Sequence, residues 1–98
     1  KKLDLKLLTA DLVNDREIKG CYICDLLSWV MTKAEPDNVW ITVQTNINIV
    51  AVATLTDIAC IVVPEGIELD ESVIDKANQK GIVIFSSEKT GYELAKMI

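Results

Sequence analysis

The chain has 98 residues, carries a net charge of −5 and contains no histidine. That length suits one hydrophobic core with no internal linker, and a composition that is half apolar and about a quarter charged argues against disorder. Nucleic acid is excluded as a partner, because Arg16 is the only arginine, the lysines are scattered, and phosphates are neutralised by clustered cations. Without histidine there is no Ser-His-Asp or Cys-His site and none of the commonest nitrogen ligand for a metal.

In chain order, Leu3-Asp4-Leu5-Lys6-Leu7 alternates apolar and polar, the pattern of a strand with one buried face. Asn14-Asp15-Arg16 reads as a turn, and Ile18 to Cys24 as a second strand interrupted by Gly20. Leu26, Leu27, Val30 and Met31 then fall at helical spacing behind Asp25, an N-cap residue type. Ala34-Glu35-Pro36-Asp37-Asn38 ends that helix, since Pro36 cannot continue it.

Val39 to Val43 is a short apolar strand. Thr45 or Asn46 caps the next helix, which carries Ile49, Val50, Ala53 and Leu55 and runs to about Ala59. Cys60 to Val63 is a buried strand, Pro64-Glu65-Gly66 a turn, and Asp70 caps a helix that Gly81 stops after Lys80. Ile82 to Phe85 is the last strand, and Thr90-Gly91-Tyr92-Glu93 has the form of a capping box opening a final helix. The direction of the first strand against its neighbour stays open.

Strands that alternate with helices and lack polar alternation predict an α/β fold. The expectation is a single three-layer domain whose mostly parallel sheet is built from successive βα units. No stretch reaches the roughly 20 apolar residues that span a bilayer, because Asn48, Thr54, Thr56 and Asp57 interrupt the run from Ile47 to Val63. The opening residues do not read as a secretory leader, and three cysteines do not make a disulfide framework. Together these predict a reduced, cytoplasmic protein without a membrane partner.

In such a sheet ligands collect at the carboxyl ends of the strands. Cys24-Asp25, Gln44-Thr45-Asn46 and Pro64-Glu65-Gly66 mark those ends. Asp25, Ser28, Thr45, Asn46 and Gly66 are therefore the candidate ligand residues, for a nucleotide or a similar small metabolite; ordinary helix capping explains Asp25, Thr45 and Asn46 equally well. No GxGxxG or GxxxxGK[ST] phosphate loop occurs. Cys21 and Cys24 have CxxC spacing, but residues three apart on a strand face opposite ways, which opposes both a disulfide and a shared metal. Asp70, Glu71 and Asp75 read as a solvated helix face. No catalytic residue, cofactor or metal is predicted.

The segment Gly20-Cys21-Tyr22-Ile23-Cys24-Asp25-Leu26-Leu27-Ser28-Trp29-Val30-Met31 resembles the DRTGG domain family. So do the segment Trp40 to Ala53 and the run Glu65-Gly66-Ile67-Glu68-Leu69-Asp70. The family is distantly similar to the N-terminal domain of HPr kinase/phosphorylase. The resemblance implies a dimerising or regulatory module of the kind that accompanies CBS-domain pairs in regulated pyrophosphatases and occurs in some phosphotransacetylases. Gln44-Thr45-Asn46 stands where the family's Asp-Arg-Thr run falls, and Glu65-Gly66 at its Gly-Gly pair. A glutamate at that position disfavours a phosphate.

Three functions follow as expectations: a non-catalytic homodimerising regulatory domain, a nucleotide-like ligand sensor, or a thiol module using Cys21 and Cys24. For the first, Leu26, Leu27, Trp29 and Val30 are the candidate interface. A small domain leaves much surface unburied, and the faces of obligate homodimers resemble a core cut in half.

Overall fold

The apolar runs of β-branched residues become the centre of a five-stranded sheet. The structure, a computed structural model, describes residues 5–9 and 18–97. The turn at Asn14-Asp15-Arg16 and the start of the Leu3–Leu7 strand lie outside them. The strands are β1 (Lys6–Leu7), β2 (Gly20–Ile23), β3 (Asn38–Ile41), β4 (Cys60–Val63) and β5 (Ile84–Ser86). The helices are α1 (Leu27–Lys33), α2 (Asn48–Thr56), α3 (Glu71–Lys80) and α4 (Gly91–Met97).

The strand order is β1-β5-β4-β3-β2. β2 to β5 are parallel, joined by α1, α2 and α3, and β1 closes the sheet antiparallel to β5 with Lys6 opposite Ser86. This is the single, mostly parallel α/β domain expected, and it resolves the direction of the first strand.

Period-two alternation sorts the core into two layers. Trp40, Ile61, Val63 and Ile84 point to one face, where Val30, Ile49, Val50, Ala53, Val73 and Ala77 of α1, α2 and α3 cover them. Val39, Ile41, Cys60, Val62 and Val83 point to the other, where they meet Leu94 of α4. The helices after β2, β3 and β4 therefore share a face, and the helix after β5 crosses to the opposite one.

Local signals set the element ends. Gly81 takes a left-handed φ of 72° and closes α3: its N–H donates to the Asn78 carbonyl, and the Ile82 N–H donates to that of Ala77. The capping box forms as read, with the Thr90 N–H donating to Glu93 Oε1 at 2.9 Å and the Glu93 N–H to Thr90 Oγ1 at 3.2 Å. Asn46 rather than Thr45 serves the start of α2, accepting the Asn48 N–H at 2.8 Å. α2 stops at Thr56, short of Ala59, because Asp57 turns left-handed at φ 57°.

Two caps differ from expectation. Asp70 stands at the start of α3 with extended backbone but makes no side-chain capping bond. Asp25 does not cap α1, whose N-cap position falls on Leu26; its carboxylate reaches across to the end of β3 instead.

Candidate functional site

The carboxyl ends of β2 and β3 are joined by a polar staple. Asp25 Oδ1 accepts two hydrogen bonds at 2.8 Å, from the Thr42 hydroxyl and from the Val43 N–H. Thr42 is buried, and its Oγ1 also accepts the Gln44 N–H at 3.1 Å. Gln44 returns the contact, with Nε2 donating to the Asp25 carbonyl at 3.4 Å and Oε1 accepting the Asn46 N–H at 3.2 Å. Beneath them the fully buried Trp40 donates its indole N–H to the Cys24 carbonyl at 2.9 Å.

Of the ligand residues expected at this end, Asp25 and Asn46 use their side-chain oxygens on the chain's own backbone and on Thr42. Ser28 and Thr45 are exposed on α1 and on the loop after β3. Gly66 belongs to a different place, the turn after the central strand β4.

There the carboxyl ends of β4 and β5 border a cleft of about 750 Å³. One wall is the turn after β4. Glu65 and Gly66 both take left-handed backbone, at φ 61° and 69°, and the Ile67 N–H donates to the Pro64 carbonyl across them. Two consecutive left-handed residues make a type I′ turn, a geometry that suits glycine and asparagine far better than glutamate.

This turn is tied to the chain leaving β5. The Ser87 N–H donates to Val63, the Gly66 N–H to Ser87 and the Glu65 N–H to Lys89, at 2.9 to 3.0 Å. Beyond these bonds the two connections part, one towards α3 and the other towards α4 on the opposite face. Leu5, Lys6 and Leu8 of the β1 segment, Ile67 to Leu69, Ile74 of α3, and Ser86 to Lys89 with Glu93 complete the lining. Sequence reasoning marked only Gly66 among these; the polar run Ser86-Ser87-Glu88-Lys89 straight after the last strand was the available signal.

The carboxylate of Glu93 is held below its ordinary range, first by the N–H of Thr90 and further by the Thr90 hydroxyl and the nearby Lys89 and Lys96. It is ionised at neutral pH. Among the described residues no three His, Cys, Asp or Glu side chains group closely enough to hold a metal ion.

The thiols do not form a joint site. Cys21 packs with the α4 layer and Cys24 with the layer of α1 to α3, as strand alternation requires. Burial pushes the Cys21 thiol up, the opposite of what an activated nucleophile needs.

A third feature is apolar. Near the staple Leu26 and Trp29 are at least half exposed, at 63% and 50%, and Val43 and Ile47 are exposed on the loop after β3; Ile23, exposed at the end of β2, pairs with Ile41 and so turns to the α4 side of the sheet. Of the four residues expected at an interface, Leu26 and Trp29 thus face outward. Leu27 packs partly buried against the core, and Val30 is wholly inside it, with no surface to offer a partner, because it is the inward position of α1.

The DRTGG domain family matches residues 1–98. The chain belongs to that family. The fold is also that of a crystal structure of the CBS and DRTGG domains of the regulatory region of Clostridium perfringens pyrophosphatase, complexed with its activator, diadenosine tetraphosphate. The two are 10% identical with a TM-score of 0.72; the match covers 94% of this chain and 40% of that one. No protein of curated function matches this DRTGG domain. Among its described residues no helix is long and apolar enough to cross a membrane.

Proposed function

We propose that this DRTGG domain is a non-catalytic regulatory module that assembles as a homodimer through the apolar surface around Trp29. The observation that carries the reading is the outward placement of Leu26 and Trp29 at α1, with Val43 and Ile47 exposed on the loop after the neighbouring strand β3. A two-fold contact would join the same surface of each copy, and Trp is enriched at such contacts.

Light scattering on a sizing column across a hundredfold dilution tests it. The expected mass is twice that of the chain, falling to that of the chain on Trp29→Glu with unfolding behaviour preserved. A wild-type monomer at every concentration would overturn the reading.

Ligand sensing is a second reading, and the cleft between β4 and β5 supports it. The structural neighbour's regulatory region is complexed with a dinucleotide activator. A nucleotide panel that includes diadenosine tetraphosphate tests the nucleotide form of this reading by thermal shift, since a ligand at a hundred times its Kd stabilises by about 2.7 kcal/mol. No shift with any of them would remove that form.

A further inference from the structure

We infer that the cleft between β4 and β5 is the ligand site of this domain, and that its ligand is a small aliphatic molecule bearing an ammonium group. The first argument is topological. A ligand crevice opens in an α/β sheet where neighbouring strands send their following connections to opposite faces. Here the connections after β2, β3 and β4 all lead to the face covered by α1, α2 and α3, whereas the connection after β5 leads to α4 on the other. Among the described parallel strands only the β4/β5 pair meets the condition, and the 750 Å³ cleft lies at its carboxyl end. That volume falls within the roughly 300–1,000 Å³ of small-molecule sites.

The second argument is chemical. The floor is aliphatic: Leu8, Ile67 and Leu69 pack partly buried on the core and still line the cleft. Glu68, Glu88 and Glu93 line it together with Lys6 and Lys89, and since Glu93 is already bonded to Thr90, Glu68 and Glu88 are the carboxylates left for a ligand. Among the described residues that line it there is no aromatic ring to stack a base and no arginine to grip a phosphate. The three carboxylates do not converge on a common point as a metal would require. An aliphatic chain on the floor with its ammonium towards a glutamate satisfies both surfaces, and a free amino acid or a polyamine supplies that chemistry.

The inference rests on the ligand-sensing reading and is independent of dimerisation. Calorimetric titration of the full chain with leucine and, separately, with spermidine tests it. Binding of at least one is expected, weakened about tenfold or more by Glu68→Lys with Glu88→Lys, while the thermal midpoint of the variant without ligand stays where it was. The single Glu68→Gln and Glu88→Gln variants are titrated as well, so that misfolding of the double variant decides nothing. Leucine binding identifies the amino-acid source and spermidine binding the polyamine source. Failure of both at millimolar concentration overturns the inference, as does binding that none of the variants weakens. Binding of diadenosine tetraphosphate alone also overturns it, while leaving ligand sensing in place.

Discussion

The two halves of the sheet's carboxyl edge are built from similar loops and end differently. At the β2/β3 end, Asp25, Thr42, Gln44 and Asn46 bond to one another and to backbone, and a buried Trp40 lies beneath. At the β4/β5 end the loops are tied at their base and then part around a cleft. Both consecutive helices after β2 and β3 lie on one face, so the first pair of loops runs together and can be stapled. The β4 and β5 helices lie on opposite faces, so the second pair cannot close. The polar residues at one end are thus bonded into a staple, whereas at the other Glu68 and Glu88 stand on exposed loops around a cleft, and the course of the chain decides which.

Substitutions sharpen that contrast. The largest effect is expected under the staple: Trp40→Ala removes a fully buried indole and should cost about 3–5 kcal/mol in urea unfolding, enough to leave a domain of this size marginal or unfolded. Asp25→Ala should cost about 1–3 kcal/mol, because the buried Thr42 hydroxyl and the Val43 N–H lose a charged acceptor. At the cleft, Glu68→Ala and Glu88→Ala should leave stability within about 0.5 kcal/mol, since both are exposed on loops. A loss at these two sites as large as that of Asp25→Ala would erase the distinction between the ends.

Glu65→Asn is expected to stabilise by about 0.5–1 kcal/mol, because asparagine tolerates the left-handed backbone that glutamate is forced into here. Thermal unfolding at fixed pH reads it, and an unchanged or lower midpoint would show that the turn is not strained. The smallest effect belongs to the α4 cap. Glu93 is held below its unfolded value, so its contribution is fully present above the ordinary carboxylate range and fades as pH falls through the lowered folded value. Stability measured against pH in Glu93→Gln should lack that acid-side decline.

Much of the fold was legible because the signals were local. Gly81 and the Thr90–Glu93 box end and start their helices as read, and the Val- and Ile-rich runs became the parallel strands. The site was harder, for a physical reason. Asp25 has the residue type and position of a helix cap, yet its carboxylate finds the Thr42 hydroxyl seventeen residues away, a contact that only tertiary packing creates. Val30 carries the same apolar character as Trp29, and helix orientation alone turns one inward and the other out. The cleft depends on α4 crossing the sheet, which neither periodicity nor capping encodes.

Amide chemical shifts, recorded by nitrogen–proton correlation while leucine and then spermidine are added to the full chain, test the division of the edge most directly. The largest changes should fall at Gly66 to Leu69 and Ser87 to Lys89, with the amides of Thr42 to Asn46 unmoved. Changes centred on Thr45 and Asn46, with the β4/β5 loops silent, would contradict it and return the binding site to the stapled end.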